Sequence, residues 1–271
     1  MSAPAKVALS PTERIVAEID GAIGWLIFNN PARRNALSLD MWQAIPAILD
    51  RFEGDRDVRV VVLRGAGGKA FLSGADITEF ETLRAAAADV ARYDRIAEEA
   101  VGRLQACPKP TIAMIQGYCM GGGVGVALAC DLRLAAADLQ MAIPAARLGL
   151  SYRWTDIKRL VDLVGPAFAK EIFYTGRRFD AAEALAMGLV NRVLPVAELA
   201  DFTRDYCARI AENAPLTIAA AKQVISELTK PEGAVDRAAL ETAVKRCFAS
   251  ADYAEGRRAF IEKRKPRFTG K

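Results

Sequence analysis

Histidine is absent from this 271-residue chain. That gap alone removes Ser-His-Asp triads, Cys-His dyads, histidine metal sites and histidine acid/base catalysis. Cysteine is sparse and scattered. Cys107, Cys119, Cys130, Cys207 and Cys247 form no CxxC pair, and their number is odd. The pattern offers no zinc motif and points to free thiols in a reducing compartment. Long hydrophobic runs are lacking too. The most apolar stretch, 117–129, is broken by glycines and is too short to span a bilayer. Residues 1–14 lack a basic segment followed by an apolar one, so no secretory signal is expected, and neither is a membrane partner. A cytoplasmic protein is the expectation. A large charge excess is also missing: 37 basic against 33 acidic residues leave +4. That excess is too small to imply nucleic acid, and it suits a small polyanion such as a nucleotide phosphate.

What is present is apolar material, 52% of the chain, enough for a sizeable core without disulfides or metals. Val16–Ile19 and Gly24–Phe28 predict a hairpin around Asp20-Gly21, since a DG dipeptide between apolar runs favours a tight turn. Ser38 is placed to cap a helix running to about Phe52. The β-branched run Val58–Leu63 predicts a buried strand. A loop at Gly65–Lys69 follows, and then a long alanine-rich helix over Leu83–Ala106. Cys107-Pro108-Lys109-Pro110 ends that helix, because proline lacks the amide hydrogen and clashes with the preceding turn. Thr111–Ile115 reads as another buried strand, 117–123 as a loop, and Val124–Cys130 as a helix entered from it. Short strands are predicted at Leu132–Ala135 and Leu139–Ile143. Helical periodicity dominates from Asp156 onward, with breaks at Gly165-Pro166, Gly176, Gly188, Pro195, Pro215 and Pro231. The first half therefore reads as repeating strand–strand–helix units and the second as a helical region.

The segment Thr111-Ile-Ala-Met-Ile-Gln-Gly-Tyr-Cys-Met-Gly-Gly-Gly-Val-Gly runs strand, loop, triple glycine, helix. A helix N-terminus presents unpaired amide hydrogens and partial positive charge. Glycines let a ligand atom come close to the backbone. Such a segment can cradle a phosphate, aim donors at a developing oxyanion, or serve close packing. Neither GxxxxGK[ST] nor a true GxGxxG register is present.

A second loop bears on that choice. Ala70-Phe-Leu-Ser-Gly-Ala-Asp-Ile, followed by Ile115-Gln-Gly-Tyr-Cys-Met-Gly-Gly-Gly and Ala129-Cys-Asp-Leu-Arg, closely resembles the enoyl-CoA hydratase/isomerase (crotonase) family. The resemblance continues through Asn29-Asn-Pro, Asn35-Ala-Leu, Gly176-Arg-Arg-Phe-Asp-Ala-Ala-Glu-Ala, Gly188-Leu-Val-Asn-Arg-Val and Glu255-Gly-Arg-Arg-Ala-Phe-Ile-Glu-Lys-Arg. It implies an α/β fold, a crotonase-like spiral of ββα repeats over 1–200. A helical C-terminal trimerisation subdomain over 201–271 would complete it. The assembly it implies is a homotrimer or a dimer of trimers. By the same resemblance, the backbone amides of Ala75 and Gly122 form an oxyanion hole for a thioester carbonyl. The backbone around Lys69, Phe71 and Ser73 would meet adenine and pantetheine, with Asp76 and Ile77 counted in the same binding loop. Arg34 is the candidate for the nucleotide phosphates. Phe260 and Lys263 lie in the segment that reaches coenzyme A in the family, often on a neighbouring subunit; Lys263 read by itself is equally a solvated helix charge. Coenzyme A is part of the substrate, so no separate cofactor and no metal are expected.

The chain departs from the hydratase pattern at two positions. The glutamate usual two residues after the triple glycine is Gly125 here, and the Pro-Glu pair of the next strand is Pro144-Ala145. A positioned acid and base are each worth about 10²–10⁴-fold in such chemistry. The position that carries aspartate in isomerase-like and dehalogenase-like relatives is Arg153. Asp156 is the remaining carboxylate candidate, and it is also placed to act as a helix-capping acid. Glu79 and Glu81 follow the first loop and read as solvated charges or acyl-chain contacts. Tyr152 and Trp154 are expected to line the acyl pocket or the core, and Arg153 to bind an acyl carboxylate or to pair on the surface. Enoyl-CoA hydratase-like activity is the expectation. Isomerase, decarboxylase, thioester hydrolase and non-catalytic thioester binding are the alternatives. The basic run Arg257-Arg258 and Lys263-Arg264-Lys265 reads as a solvated tail, and nucleic acid is not expected.

Overall fold

The Asp20-Gly21 dipeptide turns the chain. In the computed structural model, which describes residues 10–79, 87–230 and 232–271, strand β1 (Ile15–Asp20) pairs antiparallel with β2 (Ile23–Phe28), and Gly21 sits at φ +59°. Helix α1 (Leu39–Gly54) follows. Its N-cap is Ser38, as predicted, but the Ser38 hydroxyl bonds Asp40 and leaves the helix amides alone. Glu79 takes over that task, its Oε2 accepting from the Leu39 amide at 2.9 Å. Seven buried side chains of α1, from Met41 to Phe52, seat it on the core.

Three ββα turns come next. The first is β3 (Val60–Gly65), β4 (Ala70–Leu72) and α2 (Ala87–Gln105). The second is β5 (Thr111–Ile115), β6 (Tyr118–Met120) and α3 (Gly122–Ala129). The third is β7 (Leu132–Ala136), β8 (Gln140–Ala142) and the short α4 (Ala145–Leu148). Within each turn the first strand joins one sheet and the second strand joins another. The larger sheet runs β1-β2-β3-β5-β7-β10, parallel from β2 onward, with β10 at Arg192–Leu194. The smaller runs β4-β6-β8-β9, with β9 (Phe179–Asp180) antiparallel to β8. The apolar runs of β3 and β5 are buried because both faces of the larger sheet are covered. Two hydrophobic clusters lie on its two sides.

Helix α5 (Trp154–Thr175) bends at Gly165, where φ is +76°, and Pro166 follows; this is the predicted break. Helix α6 (Ala181–Ala186) opens on an Asp180–Glu183 capping box. Helix α7 (Leu199–Ala211) sends Leu199 and Cys207 into the second apolar cluster. Helices α8 (Pro215–Leu228), α9 (Arg237–Phe248) and α10 (Ala251–Ile261) pack on one another, and neither α8 nor α9 carries a buried residue. The five cysteines are free. Among the described residues no helix is long and apolar enough to cross a membrane and no cluster suits a metal ion.

Two motifs turn out to be structural. Asp131 accepts from the Thr111 amide at 2.7 Å and pairs with Lys222 at 2.7 Å. Arg133 is buried and donates to the Leu189 and Cys130 carbonyls at 2.8 and 2.9 Å. Both staple the second and third turns of the spiral.

Candidate active site

The two loops singled out in the sequence meet. Leu37 forms a parallel bridge beside Ala75: the Leu37 amide bonds Gly74 O, and the Asp76 amide bonds Leu37 O. That pairing uses the groups on either side of Ala75, so its own N–H points to the opposite side. Gly122 is the first residue of α3, where the amide has no intrahelical acceptor. The two residues are neighbours: a Cβ added at Gly122 would stand 3.9 Å from the Ala75 nitrogen. Gly74 at φ +103° and Gly121 at φ +53° give the backbone turns that aim them, conformations most side chains would strain. Ala75 and Gly122 both line a cavity of about 410 Å³.

Each neighbouring residue has an anchoring task. Asn35 is fully buried; it accepts from the Asn30 amide at 2.9 Å and donates to the Ala66 and Ala70 carbonyls at 3.0 and 2.8 Å. Asp76 is buried against Arg33 at 3.0 Å and the Thr78 amide and hydroxyl. Burial pushes its carboxyl up, but the Thr78 bonds and Arg33 outweigh it and hold it below the usual carboxylate range. Asp76 therefore clamps the Ala75 loop, and among the described residues it does not line the cavity. Ser73 does line it, and its hydroxyl donates to Arg33 O at 3.1 Å. Phe71 is a core residue whose ring meets Phe28 edge-on at 5.7 Å. Ile77 opens a short 3-10 turn, Ile77–Glu79. The helix-capping role of Glu79 corrects its reading as a solvated charge or acyl contact: burial draws its carboxyl to the Leu39 amide. Glu81 lies outside the described residues, as does the start of the helix predicted from Leu83.

Lys69 and Arg34 are not among the residues that line this cavity; with Arg178 they form a basic cluster around Tyr118. Lys69 is exposed, and its carbonyl accepts from the Tyr118 amide at 3.2 Å. The guanidinium carbon of Arg34 lies 5.0 Å from the centre of the Tyr118 ring and that of Arg178 lies 5.3 Å from it. Neither arginine has a carboxylate partner among the described residues. Arg178 was not picked out in the sequence, because only the fold brings the 176–180 segment to β6.

The inner wall comes from α2, α3 and the start of α5. Tyr152 and Asp156 line it, as do Gly125 and Ala145, the two positions without glutamate. Burial, helped by Asp156, pushes the Tyr152 hydroxyl up to about 12, so it stays a proton donor. Burial also raises Asp156 above the usual carboxylate range; Arg159, bonded at 2.7 Å, and Arg153 oppose that, and Glu98 adds to it. Arg153 lines the wall too, but its guanidinium is held by Glu98 and, at 3.5 Å, by Asp94. An acyl carboxylate would have to displace both. Trp154 is corrected: it is the first residue of α5, 74% exposed, and faces away from the cavity. The wall residues that sequence reasoning missed are Trp42, Tyr93, Asp94, Ala97, Glu98 and Val101. The signal was the i, i+3/i+4 stripe of α2, which looked like an ordinary buried face. The indole of Trp42 donates to the Tyr93 hydroxyl at 3.0 Å and backs Gly122.

Phe260 and Lys263 are not brought to this cavity. Phe260, 84% exposed, lines a separate apolar groove of about 920 Å³ between α8, α9 and α10. The basic tail is largely neutralised within the chain: Glu255 pairs with Arg258 and Arg264, each at 2.6 Å, and Glu212 with Lys265 at 3.1 Å.

A family model described as enoyl-CoA hydratase/isomerase matches residues 18–271. The chain belongs to the enoyl-CoA hydratase/isomerase family. It is 32% identical to a short-chain-enoyl-CoA hydratase of Clostridium acetobutylicum, over 93% of this chain and 95% of that one. A putative enoyl-CoA hydratase of Thermus thermophilus is 36% identical, over 92% and 98%. Among solved structures, an enoyl-CoA hydratase/carnithine racemase from Magnetospirillum magneticum superposes with a TM-score of 0.93 at 39% identity, covering 98% of this chain and 99% of that one. An enoyl-CoA hydratase from Bacillus anthracis superposes at 0.89 with 31% identity, covering 96% and 100%. The crotonase-like fold expected from the sequence is thus the fold observed, and enoyl-CoA hydratase-like function is supported at the level of the family.

Proposed function

We propose that the cavity binds an acyl-CoA thioester with its carbonyl oxygen between the amides of Ala75 and Gly122, and that the protein carries out enoyl-CoA hydratase-like chemistry through the resulting enolate. The observation that supports this reading is that Ala75 and Gly122, from two separate loops, stand side by side on one cavity wall. As charge builds on the oxygen, two aimed N–H groups in a site with little water hold it; losing one such donor costs about 2.7–4 kcal/mol of transition-state stabilisation in other enzymes. The basic cluster of Arg34, Arg178 and Lys69, outside the cavity lining, suits the phosphates of the nucleotide end. With Gly125 and Ala145 carrying no carboxyl, Asp156 is the acid/base candidate on the α5 wall.

Calorimetry with crotonyl-CoA and acetoacetyl-CoA tests the binding, and absence of heat with both would reject the site as drawn. Loss of crotonyl-CoA absorbance tests turnover. The Asp156→Asn variant is expected to lose about 10²-fold or more in kcat; unchanged turnover would remove Asp156 from the chemistry. The same variant has a stability signature. The folded-state pKa of Asp156 lies above the unfolded value of about 3.9. The folded protein therefore binds the extra proton in that window, and stability falls as pH rises through it. Asparagine carries no such cost. The variant should melt higher than the native protein at pH 7, with the difference closing below about pH 4.

The apolar groove between α8, α9 and α10 suits a neighbouring copy, in a homotrimer or dimer of trimers. Phe248, Phe260 and Ile261 are its exposed apolar residues, and an exposed patch of this kind marks an interface. Sedimentation showing only a 29.3 kDa species would reject that assembly.

A further inference from the structure

We infer that Glu98, on α2, supplies the second proton-transfer carboxylate of this site and works with Asp156 across the acyl cavity. The inference rests on the thioester reading above.

Three observations carry it. First, the α2 face that turns to the cavity places Tyr93, Asp94, Ala97, Glu98 and Val101 on the wall, and α2 packs on α3. A carboxylate on that face looks across at the helix bearing Gly122 and Gly125. Second, the space beside Gly125 is open: a Cβ built there meets no heavy atom within 4 Å. This is the position where the hydratases resembled by the sequence carry glutamate. Third, Glu98 is linked to the Asp156 wall. Arg153 bonds Glu98 and is the N-cap of α5, whose first turn bears Asp156, and the Glu98 charge is felt at Asp156. The titratable and charged groups facing the pair are Tyr93 and Asp94 from α2, Tyr152 and Arg153 before α5, and Arg159 from α5. From α3 there is none, since Gly122–Ala129 contains no ionisable side chain.

Hydration needs one group to take a proton and another to give one. Glu98, an ion-paired carboxylate, takes a proton from water as the water oxygen bonds to the β carbon. The π electron pair of the Cα=Cβ bond moves onto the thioester oxygen, where the Ala75 and Gly122 amides hold the enolate. The enolate then collapses, and the α carbon takes the proton of Asp156. One water is added, Glu98 ends protonated and Asp156 ionised, and proton exchange through solvent resets the pair.

The test uses the full chain and its Glu98→Gln variant, with turnover read two ways. One reading is hydration of crotonyl-CoA; the other is exchange of the α hydrogens of butyryl-CoA in D2O, which registers any enolate-forming reaction. Glu98→Gln should lower kcat about 100-fold or more while leaving the calorimetric Kd for acetoacetyl-CoA within about twofold. Adding Gly125→Glu to Glu98→Gln should restore at least about tenfold of the loss, because it returns a carboxylate to the opened space. A Glu98→Gln protein with native kcat overturns the inference and leaves the thioester reading intact. A native protein that binds no acyl-CoA overturns the thioester reading itself, and one that binds but neither hydrates nor exchanges overturns the proton-transfer pair.

Discussion

Gly122→Pro should cut crotonyl-CoA turnover by about 10²–10³-fold while the protein stays folded. Proline removes the amide hydrogen outright, which no ordinary side-chain change does. It is tolerated at the first position of a helix, where the missing hydrogen has no intrahelical acceptor. Gly122 holds that position in α3. The space also allows it: an added Cβ would lie 3.7 Å from the Trp42 ring and 3.9 Å from the Ala75 nitrogen, ordinary contacts. Gly122→Ala is the control, since it adds the same Cβ and keeps the donor. The expected difference between the two variants, about 2.7–4 kcal/mol in kcat/KM, isolates the donor from the bulk. Equal rates for the two variants would mean that the Gly122 amide does not touch the reacting oxygen.

Asn35→Ala should destabilise the fold by on the order of 4 kcal/mol, read by urea denaturation. The side chain is fully buried and satisfies three backbone groups at once: the Asn30 amide and the carbonyls of Ala66 and Ala70. Truncation leaves each of them dry and unpaired, at about 1–3 kcal/mol apiece before relaxation. The backbone adds to this, because Asn35 stands at φ +57°, where asparagine is tolerated better than alanine. Asn35→Asp should fare little better, since a carboxylate would face two carbonyl oxygens. Ala70 begins β4, which leads directly into the Ala75 loop, so a loosened Asn35 also misaims the oxyanion donors. A loss under about 1 kcal/mol would show that water or a shifted loop replaces those bonds.

Most of the architecture was legible in the chain. The Asp20-Gly21 turn, the helix after Ser38, the β5 strand and the break at Gly165-Pro166 appear where local chemistry put them. These are short-range decisions set by turn residues, β-branched runs and missing amide hydrogens. The stretch 117–123 was the main miss: it contains β6, at Tyr118–Met120, and begins α3 at Gly122. Three residues paired into a second sheet leave no period to read, because their partners β4 and β8 are distant in sequence.

The proposed oxyanion hole divides the same way. The sequence by itself determined which backbone could form it, since Gly74 and the triple glycine permit turns that other residues resist, and it determined that Gly125 and Ala145 bring no carboxyl. Tertiary structure alone decided what surrounds the hole. It turned Trp154 outward, spent Glu79 on a helix cap and locked Arg153 between Asp94 and Glu98. It also brought Asp94 and Glu98 of α2 to the cavity that Asp156 lines. A glycine turn is a local property of a few dihedrals. Which carboxylate faces a cavity depends on how two helices far apart in the chain are rotated against each other, and only packing sets that rotation.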